Sequence, residues 1–279
     1  MCINPLADEV AGILERVRRD RPLVHIISNF VTMNDVANAT LAIGARPVMA
    51  HAVDEVADIV QAARALVLNL GTPTSERVEA MLAAGRAANA TGIPIMLDPV
   101  GVGASPFRRQ SVARLLNAVH PAIVRGNADE IAALSSGTGT MSGVDSILEH
   151  EDRPRVVKTL AARYGAVFAA TGATDYASDG ARLVAVANGT PWLKQITGAG
   201  DMLDALIGAA SAVEKDSLLA AVSGLTWLGV AAERAASNSG GIGSFRVALF
   251  DALGGLDASL VRDRAKIQEE DTRSSHGDS

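Results

Sequence analysis

Six short apolar runs, separated by segments of helical spacing, narrow the architectures open to this chain. The runs cover 23–27, 46–50, 65–70, 93–98, 122–125 and 166–171. Helical spacing marks 7–19, 34–43, 53–64, 74–90, 107–118, the stretch after Glu130 and about 154–164. Strands alternating with helices of roughly 10–15 residues predict a parallel sheet covered on both faces. The runs are almost wholly apolar, as strands buried on both sides are. Residues 174–190 read as a hairpin turning at Ser178-Asp179-Gly180, and the chain after Asp201 reads as mostly helical to about 254. Both features fit an α/β barrel poorly and an open sheet well. Residues 1–265 are expected to form one domain, with 137–153 a polar, glycine-rich connection and 266–279 a flexible polar tail.

In an open parallel sheet, ligands bind beyond the carboxyl ends of the strands. Asn69, Asp98, Arg125 and Thr171 stand at those ends. Further along, Thr197-Gly198-Ala199-Gly200-Asp201 leads at once into an apolar helical run. Glycines permit tight backbone and close approach of a ligand. The first free N–H groups of the following helix face this loop and attract anions, phosphate above all. An acid in the same turn is placed to take a proton from a group attacking that phosphate. Asp201 is also of a residue type favoured simply as a helix cap.

Composition excludes other classes. The formal charge is −6 with no basic run, so a nucleic-acid backbone has no counterpart here. Aromatic residues make up 3 %, too few for base-stacking platforms. The first twenty residues mix acids and arginines and lack the apolar core of a signal peptide. The longest apolar stretch, about 218–232, is short for a membrane span. Cys2 is the single cysteine and cannot form an internal disulfide, so a reducing cytoplasm is expected. There is no Walker A loop, no H-E-x-x-H, no CxxC and no G-x-S-x-G. Gly101-Val102-Gly103 begins like a dinucleotide fingerprint, but Pro106 stands where its third glycine belongs.

What remains is Asp98, Arg125, Asn127, Glu130, Thr171 and the loop 198–201. Oxygen ligands such as Asp98 and Glu130 suit Mg²⁺, which binds through substrate phosphates and keeps several waters. Arg125 suits a nucleotide phosphate. Each has a structural alternative. Asp98 before Pro99 can be a turn residue, Glu130 a first-turn acid on a helix dipole, Arg125 a rim ion pair, and Thr171 an ordinary strand end. Together at strand ends, beside an anion loop, they point to phosphoryl transfer. His25, His51, His120 and His150 lack metal-ligand spacing, and Trp192 and Trp227 read as core residues.

Pro22-Leu23-Val24-His25, Asn29-Phe30-Val31, the stretch Ala45 to Ala50, Asn69-Leu70-Gly71-Thr72, Leu97 to Ala104, Arg125 to Glu130, Gly143 to Ser146 and Thr171-Gly172 carry a resemblance over about residues 8–262. The chain resembles the hydroxyethylthiazole kinase family, thiazole-salvage enzymes of thiamine biosynthesis in the ribokinase-like superfamily. The resemblance implies an α/β, three-layer αβα fold with a mostly parallel central sheet. It implies ATP-dependent phosphorylation of the hydroxyl of 4-methyl-5-(2-hydroxyethyl)thiazole, with Mg²⁺ as the metal and ATP as co-substrate. It places Met49 and Gly198 on the thiazole and Asn29 in the same pocket. It assigns Arg125 and Thr171 to ATP, beside Asn127, Ala199 and Gly200, and it puts Asp98 and Glu130 near Mg²⁺. It also implies a homotrimer with sites at subunit interfaces, Gly71 matching a position given by the neighbouring subunit. No nucleic-acid or membrane partner is implied.

One departure stands out: the family usually has cysteine where this chain has Asp201. Other ribokinase-like kinases have aspartate there as general base. A carboxylate accepts a proton at neutral pH, whereas a thiol must first ionise. Asp201 is therefore expected to serve as base, with the backbone N–H groups of 198–201 and Mg²⁺ meeting the developing charge. Asp204, three positions on, is the fallback. Open alternatives are another small alcohol such as hydroxymethylpyrimidine, a nucleotide-dependent dehydratase of damaged nicotinamide cofactors, and a non-catalytic ligand sensor.

Overall fold

The computed structural model describes residues 4–135 and 153–270. Six strands run parallel: β1 (Leu23–Ile27), β2 (Arg46–Val48), β3 (Ala65–Asn69), β4 (Ile95–Asp98), β5 (Ile123–Asn127) and β6 (Val167–Thr171). Three antiparallel strands extend the far edge: β7 (Asp175–Ser178), β8 (Leu183–Val186) and β9 (Ile267–Glu269). The spatial order is β2-β1-β3-β4-β5-β6-β7-β8-β9. This is the open sheet that the alternating runs imply, and it excludes a barrel.

Successive strand side chains point to opposite faces, and the strands feed two cores. Val24, Ile26, Ala65 and Val67 enter one; Ile27, Leu66 and Leu68 enter the other. The first core is roofed by α1 (Pro5–Asp20), α2 (Met33–Ile43), α8 (Ala199–Ser211), α9 (Ser217–Ser237), α10 (Ile242–Gly254) and α11 (Ala258–Arg264). The second is roofed by α3 (Val56–Ala62), α4 (Ser75–Thr91), α5 (Pro106–Ala118), α6 (Ala128–Ser135) and α7 (Arg153–Tyr164). The layers are therefore α, β and α. Local chemistry starts these helices: Thr74, Ser105 and Asp216 accept backbone N–H bonds at the starts of α4, α5 and α9.

Helices α8 and α9 are the most deeply buried. From Met202 to Ser211 every side chain of α8 is buried, the pattern of a helix enclosed on all sides. Glycines permit this closeness. A Cβ at Gly208 would stand 2.4 Å from Val67 Cγ2, and one at Gly224 would stand 2.5 Å from Ile207 Cγ1. The first lets α8 lie against β3, and the second lets α9 lie against α8.

The hairpin falls where expected, with Gly180 at φ +95 in its turn. The expected connection 137–153 lies outside the described residues except for Arg153, which begins α7. The carboxyl end differs from expectation at its start. Chain 266–270 is not loose: Ile267–Glu269 pairs with β8, because Ile267 is an apolar side chain that the first core buries. Residues 271–279 lie outside the described residues. Among the described residues, no helix is long and apolar enough to cross a membrane.

Gly208→Ala is expected to cost about 1–3 kcal/mol of stability, the range for overpacking a close-packed core. Gly12→Ala, whose Cβ would meet nothing within 4 Å, is expected to gain up to about 1 kcal/mol from helix propensity. Urea denaturation of both variants checks the contrast.

Candidate active site

Parallel register sets the site. Asn69 at the end of β3 stands opposite Asp98 at the end of β4, and Asn127 of β5 stands opposite Thr171 of β6. The amino end of α8 comes down onto this rim. Gly198 is the N-cap residue of α8, at φ +92, and no side chain caps the helix. A Cβ at Gly198 would lie 2.7 Å from Thr32 Cγ2, and one at Gly200 would lie 3.0 Å from Arg125 Nη2. The loop needs glycine both for its conformation and for what packs against it.

Beneath the loop lies a buried charge cluster. Arg125 Nη2 is 2.9 Å from Asp98 Oδ2 and 2.5 Å from Asp204 Oδ1, and it also donates to the Gly200 carbonyl. Burial alone would favour the neutral form of Arg125, but Asp204 and Asp98 outweigh it and hold the guanidinium charged more firmly than usual. Burial pushes Asp98 well above the ordinary carboxylate range against the pull of Arg125, with Asp204 and Glu130 adding repulsion. Burial likewise raises Asp204 to about 6, again opposed by Arg125. Arg125, expected at ATP, is 4 % exposed and holds Asp98, Asp204 and the Gly200 carbonyl below the loop.

Asn69 joins this cluster to Asp201. Its Nδ2 donates to Asp201 Oδ1 at 2.8 Å and to Asp204 Oδ2 at 2.8 Å, with Asp98 Oδ2 at 3.3 Å. Its Oδ1 accepts from Gly71 N and from Asn29 Nδ2. The second oxygen of Asp201 accepts from Thr32 Oγ1 at 2.5 Å. Asp98, Asp201 and Asp204 each offer an oxygen within 4.8 Å of the others, a possible cation set. It differs from the expected pair Asp98 and Glu130. Asp98 Oδ1 is buried with no hydrogen-bond partner, an oxygen free for a hard cation. Glu130 is more occupied: its oxygens accept from Gly101 N and Asn127 N, while Asn127 Oδ1 accepts from Glu130 N. The last two bonds form a reciprocal capping box at the start of α6.

The other expected residues border the same rim. Asn29 is buried, and Gly71 packs on it so closely that a Cβ would fall 2.6 Å from Asn29 Cβ. Met49, the residue after β2, is half-buried against the first core. Thr171, half-buried, donates to the Gly126 carbonyl at 3.4 Å. Beside the loop is a cavity of about 350 Å³ whose lining includes Val31, Thr32, Ile196, Thr197 and Ile242. The Asp35–Arg246 ion pair borders it. A larger cavity of about 470 Å³ lies at the opposite end of the strands, lined in part by Arg182, Lys215 and Asp216. None of the residues expected to do chemistry lines it.

Sequence reading missed Thr32 as a site residue and left Asn69 without a role. It also missed Arg77 and Arg108, which gather rim carbonyls. Arg77 donates to Gly71 O, Thr72 O and Ser28 O and lies 4.7 Å over the Phe30 ring. Arg108 donates to Leu70 O and Val100 O. His25, expected in the core or pocket, is buried and donates its Nε2 proton to Ala50 O.

Replacing Arg125 by methionine would leave Asp98 and Asp204 buried without their cation, so a loss of about 3–5 kcal/mol is expected, read by denaturant melting. A second expectation concerns Asp175, beside Thr171, which protein packing pushes up to about 7 although it accepts the Gly172 N–H. Unfolded, it titrates near 4. Between those values the folded state holds a proton that the unfolded state has lost. This contribution is therefore largest below pH 4 and disappears as pH rises to about 7. Thermal melts should show Asp175→Asn gaining on the parent protein across that window.

Comparison with known proteins follows the same direction. The family model described as hydroxyethylthiazole kinase family matches residues 14–259. A hydroxyethylthiazole kinase of Chloroflexus aggregans is 47 % identical over 96 % of this chain and 96 % of its own length. One from Roseiflexus castenholzii is 48 % identical over 96 % of this chain and 99 % of its own. The structure of hydroxyethylthiazole kinase from Pyrococcus horikoshii OT3 superposes with a TM-score of 0.88 at 41 % identity, covering 94 % of this chain and 99 % of that one. Pyridoxal kinase from Staphylococcus aureus in complex with ADP, 14 % identical with a TM-score of 0.57, shares the ribokinase-like fold. The chain belongs to the hydroxyethylthiazole kinase family.

Proposed function

We propose that this chain transfers the γ-phosphoryl group of ATP to the primary alcohol of 4-methyl-5-(2-hydroxyethyl)thiazole in thiamine biosynthesis, with Asp201 as the general base. One observation carries this reading. Asp201 stands in the first turn of α8, where uncapped backbone N–H groups await an anion, and both of its oxygens are held by donors. The alcohol lies beside Asp201, loses its proton to the carboxylate and attacks the γ-phosphorus in line. The N–H groups of 198–201 meet the charge that develops on the phosphoryl oxygens.

Met49, Asn29, Gly198 and Gly71 form the thiazole side of the site. Thr171 and Asn127, with Ala199 and Gly200, form the nucleotide side. Arg125 serves the nucleotide side through Gly200, whose carbonyl it holds, so the loop amides stay turned toward the phosphate. Asp98, with its free Oδ1, and Glu130 are the residues that would hold Mg²⁺. That ion would supply charge neutralisation for the phosphates.

The same reading includes a cytosolic homotrimer. Phe30, Val31, Leu41 and Val53 are large apolar side chains 41–67 % exposed, and Phe30 and Val31 directly follow Asn29. A subunit contact covering them would lie beside the thiazole side of the site.

Purified protein with Mg²⁺, ATP and the hydroxyethylthiazole is expected to yield the phosphorylated thiazole, detected by mass. Asp201→Asn is expected to lower kcat by roughly 10²–10⁴-fold, the range for loss of a general base, with an unchanged melting temperature. A near-parental kcat would remove Asp201 from the role. ATP binding without thiazole product would send the search to pyrimidine alcohols.

A further inference from the structure

Thr32 occupies the N-cap position of α2, where a threonine hydroxyl ordinarily accepts a backbone N–H of the first turn. Here it makes no such bond. Its hydroxyl instead lies 2.5 Å from Asp201 Oδ2 and 3.1 Å from Asn29 Oδ1. A capping group diverted from its helix onto an acid 169 residues away in sequence calls for an explanation at the acid.

The two partners of Asp201 differ in kind. Asn69 Nδ2 faces Oδ1 and can only donate. Its orientation is set on the other side, where Asn69 Oδ1 accepts the Gly71 N–H. A proton arriving on Asp201 Oδ1 would therefore find no acceptor in Asn69. Thr32 Oγ1 faces Oδ2 and can donate or accept. A second acceptor, Asn29 Oδ1, stands within reach of the threonine proton. Asn29 is itself fixed, since it accepts from Val31 N and Thr32 N and donates to Asn69 Oδ1.

We propose that Thr32 is a positioning residue that steers the substrate proton to Oδ2 of Asp201 and holds the acid in both of its protonation states. The inference rests on Asp201 being the base. Before transfer, the Thr32 O–H donates to the carboxylate. During transfer the alcohol O–H bond breaks, its proton goes to Oδ2, the alcohol oxygen bonds to the γ-phosphorus, and the bond from that phosphorus to the ADP oxygen breaks. Afterwards the new Oδ2–H donates to Thr32 Oγ1, whose own proton has rotated onto Asn29 Oδ1. Thr32 neither gains nor loses a proton over the cycle.

Two near-isosteres separate this from packing. Thr32→Val keeps the branched shape beside Gly198 and removes the hydroxyl; Thr32→Ser keeps the hydroxyl and removes the methyl. The expected result for Val is a kcat lowered roughly 10–100-fold, the size seen when a partner that orients a metal-ligating side chain is lost. The KM for the thiazole alcohol should stay within about threefold, since the Thr32 hydroxyl is engaged with Asp201 and Asn29 and Val keeps the shape of the lining. Ser should retain kcat within about threefold of the parent. Thr32→Ala, which also lacks the hydroxyl, should follow Val, and it serves if Val does not fold by thermal melt and ATP binding. A parental kcat in the folded Val or Ala variant, or a Ser variant as slow as these, would overturn the proposal. Asp201→Asn measured in parallel keeps the readings apart. If that variant stays active, the base assignment itself fails; if it is inactive while Val is parental, only the role of Thr32 falls.

Discussion

The rim of the sheet depends on one guanidinium. Arg125 is delivered by the middle of β5 into a place closed to water, and there it binds Asp98 from β4, Asp204 from α8 and the carbonyl of Gly200. Two strands and the amino end of a helix thus share one charge. A buried ion pair contributes little net stability compared with apolar residues of equal shape, but its members cannot be removed singly without leaving a bare charge. What the pair fixes is position: α8 cannot slide along the sheet without breaking contacts to Asp204 and Gly200. Arg77 and Arg108 act similarly at lower stakes, drawing the carbonyls that follow β1, β3 and β4 inward from the other helical layer. Loops that would otherwise wander are held to a geometry that leaves no room for a Cβ at Gly71 or Gly198.

On that fixed rim the amides form a directed network. Asn69 touches Asp98, Asp201, Asp204, Asn29 and the Gly71 N–H with a single side chain. Its flip state is set by the Gly71 donor, so the orientation of Asp201 follows from the turn after β3. The glycine at 71 and the asparagine at 69 are thus parts of one device, because a side chain at 71 would displace Asn29 and with it the Thr32 contact. Buried polar networks of this kind rigidify a site to the extent that their members are satisfied, and here Asp98 Oδ1 is the oxygen left over.

Much of this architecture is legible in the sequence, and what is not has a physical reason. Five of the six parallel strands announce themselves because strands buried on both faces are largely apolar, while β2, at the sheet edge, is exposed or half-buried. The hairpin is visible in Ser178-Asp179-Gly180, a local turn signal, and the anion loop in its glycines. The edge strand at Ile267 is not visible, since three residues with one apolar side chain look like a tail until β8 is there to pair with. Arg125 at a strand end reads equally well as pointing toward a ligand or into the protein, and its partner Asp204 lies 79 positions on, beyond the reach of any local pattern. Thr32 draws no reading from the sequence, and the acid that its hydroxyl reaches lies 169 positions on. Glu130 is the converse case. Its partner Asn127 is only three positions away, so the bonds it makes at the start of α6 are local ones.

The charge count on the rim makes its own demand. Asp98, Asp201, Asp204 and Glu130 surround one arginine, and burial drives Asp98 and Asp204 toward their protonated forms rather than letting the excess stand. A polyphosphate arriving alone would add to that excess. On the proposed reading, a divalent cation accompanying it would supply the opposite charge beside an oxygen of Asp98 that has no other partner. The acids that make the cluster costly as a structural element are then the ones that would favour a metal-bound nucleotide over a free one. The amino end of α8 would take the phosphate that the acids by themselves repel.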